Sequence, residues 1–208
     1  MIKPMNTIPC DIVLLPEETL AERAIRASQL LEPFGTHFTL KVGEYYPHAS
    51  LYMCQVAVDD LPKIEHALQQ LAEALKPFDL SAVRYALGQG FAVGYVDPEY
   101  AVTDELRAAQ EAIIAAINPL RAGMRESDIA KMKDATGVKL ENLQKYGFPS
   151  VGELFRPHMT LTRLKENQPE ALDVLPDIST FNGKFTRLGL FEMGPNGTCV
   201  RPLSIIEL

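Results

Sequence analysis

The chain has 208 residues, 47% of them hydrophobic, and a formal net charge of −7. That is enough apolar material for a sizeable core, and the acidic balance argues against a broad phosphate-tracking nucleic-acid surface while leaving room for a small phosphate pocket. No apolar run is long enough to span a bilayer, the first residues lack a signal peptide's apolar stretch, and Cys10, Cys54 and Cys199 are an odd number without metal-ligand spacing, so a cytoplasmic protein with reduced cysteines is expected.

In chain order, residues 10–15 read as a buried strand ended by Pro16. Residues 17–31 follow as a helix, with acids at its start and Leu20, Ala24, Ala27, Leu30 and Leu31 near helical spacing. Pro33 and Gly35 stop it, residues 36–42 read as a strand, and Gly43-Glu44 makes a turn. Residues 46–58 form the next strand. Residues 61–75 are the clearest helix, with Leu61, Ile64, Leu68, Leu71 and Leu75 in one stripe. Segments 79–87 and 91–96 flank Gly88-Gln89-Gly90 as a hairpin. A similar cycle then begins: strand 91–96, a helix over 102–117 stopped by Asn118-Pro119, a charged stretch to residue 153, a strand over 156–163, a short helix near 169–175, and strands 184–193 and 200–208 joined at Gly194–Gly197. The two halves share little identity, so the repeat is one of architecture. The fold class that follows is α+β: two pseudo-symmetric lobes whose antiparallel sheets face each other across a central cleft, helices outside. Lobe one covers about residues 10–90. Lobe two covers about 91–208 and carries an inserted loop over about 119–153. That loop is either a charged excursion with short helices, one over 138–146, or a lid or substrate-recognition loop.

Two strands carry the same pattern, Tyr46-Pro47-His48-Ala49-Ser50-Leu51 and Arg156-Pro157-His158-Met159-Thr160-Leu161. Alternate residues of a strand share a face, which puts His48 with Ser50 and His158 with Thr160, while Met159 and Leu161 point to a core. An imidazole beside a hydroxyl on a rigid element suits acid–base chemistry. One such histidine would read as packing; two in equivalent places favour chemistry. Tyr52 and Cys54 fall on the His48 face of a regular strand. Tyr52 would stack on a base or ribose there, or be a buried tyrosine with its hydroxyl paired, and Cys54 belongs to no motif. His37-Phe38-Thr39-Leu40 also fits the pattern, but it lacks the preceding proline and runs into a turn, so it is set aside. His66 lies off its helix's apolar stripe and reads as a surface residue.

The pair His48-Ala49-Ser50-Leu51 and His158-Met159-Thr160-Leu161 resembles the doubled H-x-[ST]-x (HxTx) signature of the 2H phosphoesterase superfamily, which includes 2′-5′ RNA ligase-like proteins and 2′,3′-cyclic phosphodiesterases. The resemblance implies a phosphodiesterase needing no metal and no cofactor. It would hydrolyse 2′,3′-cyclic phosphates or 2′-5′ bonds of RNA ends or small nucleotides. One His would take a proton from water and the other protonate the leaving oxygen, in an order the sequence leaves open, with a bell-shaped pH profile near neutrality. Ser50 and Thr160 would donate to non-bridging oxygens. The resemblance also implies a substrate contact for Arg163, although a regular strand puts this odd offset from His158 on the opposite face unless a bulge re-aims it. The partner expected is a small nucleotide or RNA end, with no DNA and no membrane, bound by a monomer. Two other functions remain open. RNA 2′-5′ ligation needs a long RNA and suits the acidic balance less well. A non-catalytic nucleotide- or RNA-end-binding module would not need two acid–base groups.

Overall fold

A computed structural model describes residues 6–88 and 92–208. The elements are β1 (Thr7–Pro16), α1 (Glu18–Leu30), β2 (Ala49–Ala57), α2 (Leu61–Ala72), β3 (Phe78–Leu80), β4 (Ala82–Leu87), β5 (Tyr95–Tyr100), α3 (Asp104–Ile117), α4 (Glu126–Lys131), α5 (Gly137–Tyr146), β6 (Thr162–Arg163), β7 (Gly183–Met193) and β8 (Cys199–Glu207). The class is α+β, with two antiparallel sheets. The centre of the expected hairpin at Gly88-Gln89-Gly90, and the start of the strand expected from residue 91, lie outside the described residues. No helix among the described residues is long and apolar enough to cross a membrane.

One sheet runs β2-β1-β7, with β3 and β8 sharing the outer edge of β7; the other runs β4-β5-β6. The sheets therefore do not follow the two halves of the chain. β7 and β8, expected in lobe two, pair with the sheet of His48, and β4, expected in lobe one, pairs with β5. The reason lies in β1. Cys10 to Leu15 are all buried, so this strand needs covering on both faces and pairing on both edges, and β2 supplies only one edge. The helices cross over as well. α1 leaves the first sheet and packs behind the His158 segment, while α3 leaves the second sheet and packs behind β2.

The strand expected over 156–163 is regular only at Thr162–Arg163, His158 making a single bridge to Glu99, yet this segment and β2 each carry an extra residue at the same place after the His. On β2, Ser50 faces Val13 and Tyr52 faces Ile12, so Leu51 is an extra residue. In the second segment Leu161 donates its N–H to the Val96 carbonyl at 2.9 Å, and Thr162 is again the register partner of Val96. A bulge removes a carbonyl from the ladder, and each extra leucine's carbonyl is taken by a buried side chain from the crossing helix. Ser28 of α1 donates to Leu161 at 2.7 Å, and Gln110 of α3 donates to Leu51 at 3.0 Å. Both side chains are fully buried.

Other departures from expectation have local causes. Residues 36–42 form only isolated bridges at Thr36 and Lys41, because the backbone between them pairs with side chains: Leu40 N–H donates to Ser28 Oγ at 2.9 Å, and the Phe38 carbonyl accepts from Thr162 Oγ1. The strand expected over 91–96 continues as β5 through Asp97-Pro98-Glu99. Pro98 accepts from Met159 N–H at 3.1 Å but has no hydrogen to return, which leaves the His158 segment only loosely laddered to β5. The short helix near residue 169 is a 3₁₀ turn, Pro169–Val174.

Candidate active site

His48, Ser50, His158 and Thr160 line one cleft of about 1400 Å³ between the sheets, so the structure brings the two motifs together. The two imidazoles are held alike. His48 Nδ1 lies 2.7 Å from the Tyr46 carbonyl, and His158 Nδ1 lies 2.7 Å from the Arg156 carbonyl. A carbonyl only accepts, so each Nδ1 carries the hydrogen and each Nε2 is left for other work. The proline before each His extends the preceding residue, which aims that carbonyl back at the ring.

The surroundings of the two rings differ. His48 is 7% exposed, and burial, with a smaller contribution from nearby His158, lowers its pKa from 6.5 to about 4. His158 is only half buried at the cleft wall. At neutral pH His48 is therefore uncharged.

Sequence reading missed the carboxyl groups under the hydroxyls. Ser50 Oγ lies 2.6 Å from Asp11 Oδ2, and Thr160 Oγ1 donates to Asp97 Oδ1 at 2.8 Å. Asp11 is fully buried, its Oδ2 is 3.7 Å from His48 Nε2, and its Oδ1 has no hydrogen-bond partner. Burial raises its pKa from 3.8 to about 7, with the Ser50 hydrogen bond and the Arg125 charge opposing. Asp97 keeps a cation, Arg156, at 3.8 Å, and Arg156 also pairs with Glu99 at 3.0 Å. A signal was present: Asp11 is the one acid inside the apolar run 10–15.

The bulges decide the remaining residues. Beyond Leu51 the faces of β2 exchange, so Met53 and Gln55 line the cleft while Tyr52 and Cys54 turn into the core. Tyr52 is thus not in the cleft. It is fully buried, its hydroxyl 2.9 Å from Asn118 Oδ1 and 2.7 Å from the Tyr146 carbonyl, where it fastens the inserted segment. Burial pushes the Cys54 thiol pKa upward, which leaves it unreactive. The bulge at Leu161 does the reverse for Arg163, turning an odd offset from His158 into a same-face position. Arg163 lines the cleft, 4.9 Å over the Tyr95 ring and 3.0 Å from Asn196 Oδ1. His37 and His66 are exposed, and neither lines the cleft.

The inserted segment forms one wall of the cleft through Met124, Arg125, Lys131, Lys139 and Phe148, which favours its reading as a substrate-recognition loop. Arg125 is 7% exposed and binds the fully buried Asp128 through Nε at 2.7 Å. Arg125, Lys131, Lys139, Arg156 and Arg163 make the cleft basic within an acidic chain. Among the described residues, Asp11, His48 and Cys199 are the one trio whose donor atoms lie within 4.8 Å of one another. Burial holds the Cys199 thiol pKa well above its ordinary value, and Ser50 already occupies Asp11 Oδ2, so the trio is poorly suited to holding a metal.

The chain is similar in fold to solved structures of other proteins. Escherichia coli LigT complexed with 3′-AMP matches at TM-score 0.52 and 17% identity, over 98% of this chain and 99% of that one. Its apo form gives 0.49 at 18% over 98% of each, and Usb1 of Kluyveromyces marxianus gives 0.42 at 8% over 97% of each. The LigT likeness at 0.52 shows that the two chains share a fold. Residues 56–183 match the family described as "Protein of unknown function (DUF1045)", and the chain belongs to that family. No curated protein matches the sequence.

Proposed function

We propose that the protein is a metal-independent phosphodiesterase acting on 2′,3′-cyclic phosphates or 2′-5′ bonds of small nucleotides or RNA ends. The observation that carries this reading is the pair of imidazoles in one cleft, each tethered through Nδ1 to the carbonyl two residues before it. His48 Nε2, kept unprotonated by burial, takes a proton from water. The water oxygen bonds to phosphorus, the bond from phosphorus to the leaving sugar oxygen breaks, and His158 Nε2–H supplies that oxygen's proton. His158 stands nearer solvent than His48, at the cleft wall.

The hydroxyls take a conditional part. A hydroxyl has one hydrogen, and in this structure those of Ser50 and Thr160 are engaged with carboxyl groups. While Asp11 is protonated it donates to Ser50 Oγ and frees the Ser50 hydrogen for a phosphate oxygen. Thr160 can turn to the phosphate and leave Asp97 to Arg156. Arg163 adds charge on the same wall.

The test is a panel of 2′,3′-cyclic nucleotides, 2′-5′ dinucleotides and cyclic-phosphate-ended RNA, with the phosphate position in each product identified. Turnover should fall by about 10²- to 10⁴-fold in His48→Ala and in His158→Ala, and remain in His37→Ala. The acid limb of kcat/KM should lie near pH 4, where His48 protonates. No turnover on the panel, or full activity in either motif variant, would overturn the reading.

A further inference from the structure

The two bulges create matching positions. The fifth residue after each His faces the cleft, Arg163 in one motif and Met53 in the other. Arg163 brings a guanidinium to its wall; Met53 brings none. The gap is filled from elsewhere in the chain, because Arg125 Nη1 lies 3.1 Å from Met53 Sδ and 3.2 Å from Met193 Sδ. The inserted segment thus delivers a guanidinium to the place that mirrors Arg163.

Its partners are weaker than a buried cation normally has. Nε and Nη2 go to Asp128, but the hydrogens of Nη1 meet only thioether sulfurs, which are poor acceptors. Asp128 also binds Lys131 Nζ at 2.8 Å, so one buried carboxylate faces two cations, the acid of this segment in the cleft lining being the exposed Glu126. Lys139 lines the same cleft. A purely structural fastener gains little from this design, since buried ion pairs are commonly replaced by apolar packing without loss. A planar fork with spare donors beside ammonium groups suits phosphoryl oxygens.

We propose that Arg125, with Lys131 and Lys139, forms a second anion subsite, so that the substrate is a phosphodiester carrying a further phosphoryl group. This rests on the phosphodiesterase reading above and narrows its substrate class. Met53 lies one same-face position beyond Ser50, roughly 7 Å along the strand, a spacing that a single sugar ring spans between two phosphates.

The experiment compares a nucleoside 2′,3′-cyclic phosphate with its 5′-phosphorylated form. Affinity is measured by calorimetry on the His158→Ala protein, and kcat/KM on the unaltered protein. The 5′-phosphorylated ligand should be preferred by about 10- to 100-fold in both, as charge-assisted hydrogen bonds allow. Arg125→Met should reduce the preference to about twofold or less. That variant strips Asp128 of its partner, so Arg125→Met/Asp128→Asn, which removes both charges, is measured beside it. A preference in affinity that depends on Arg125, without turnover of either ligand, would support the subsite while sinking the catalytic reading. Turnover of both ligands without preference in the unaltered protein would overturn the subsite and leave the catalytic reading standing, whatever the variants do.

Discussion

Asp11 and His48 are two buried groups shifted in opposite directions, and this fixes how stability depends on pH. An acid whose folded pKa is raised holds its proton more firmly folded than unfolded, so Asp11 favours the folded state at low pH. That contribution is lost as pH rises from 3.8 to about 7. A histidine whose folded pKa is lowered has the opposite sign: His48 favours the folded state above 6.5, and this is lost as pH falls toward about 4. Each is worth a few kcal/mol, at about 1.4 kcal/mol per pH unit. Across the shared window the two nearly cancel, so denaturant titrations from pH 4 to 6.5 should give a flat curve. Asp11→Asn should make stability rise with pH over that window, and His48→Gln should make it fall. Parallel slopes in the two variants would show the shifts to be misassigned. The same cluster bears on metals. In the proposed mechanism His48 Nε2 keeps its lone pair for water, so exhaustive chelation should leave turnover unchanged. Loss of turnover in EDTA, restored by a divalent ion, would point to Asp11, His48 and Cys199 as a metal centre instead. The two histidines were legible because proline, hydroxyl and leucine recur around them. Asp11 was legible only as a lone acid in an apolar run; its bond to Ser50 comes from strand pairing that this signal does not reveal.

At the scale of elements, the bulges separate what period-two reading finds from what it misses. Up to the hydroxyl of each motif the alternation holds, so His48 and Ser50, and His158 and Thr160, line the same cleft. Beyond Leu51 and Leu161 it inverts, so Tyr52 leaves the site and Arg163 enters it. Nothing in Ser-Leu-Tyr or Thr-Leu-Thr announces an extra residue. The cause is distant in sequence, in Ser28 and Gln110, which accommodate the carbonyls the bulges free. Ser28→Ala and Gln110→Leu should each cost about 1–3 kcal/mol by leaving a buried carbonyl unpaired, about 2–4 °C in Tm per kcal/mol. Each should also lower kcat/KM, because a bulge that relaxes turns Arg163 or Met53 away from the cleft. Gln55→Ala, an exchange on the same strand beyond the bulge, should change Tm little. If Ser28→Ala melts at the wild-type temperature with full activity, the helices do not hold the bulges.

For the whole molecule, the expected arrangement of two facing sheets is present, but the assignment of chain to lobe was only partly legible. Periodicity located β7 and β8 without saying which sheet they complete; pairing is a long-range choice made by β1, which is buried on both faces. The charge distribution is also visible only in the fold. The chain has 20 Lys and Arg against 27 Asp and Glu, yet Arg125, Lys131, Lys139, Arg156 and Arg163 all line the cleft, leaving the rest of the surface more acidic than the average. An anionic group that fits inside is attracted, whereas a polyanion extending beyond the cleft is repelled. A cyclic-phosphate-ended dinucleotide and a 20-nucleotide RNA with the same end should therefore differ in kcat/KM, in favour of the short one at low salt. Raising the salt should narrow the gap, as screening shortens the reach of surface charge to about 10 Å at 0.1 M. A protein that tracks RNA would do the opposite, binding the long RNA more tightly and losing that advantage steeply with salt. That second pattern would return ligation of long RNA ends to consideration and would place the substrate outside the cleft as well as in it.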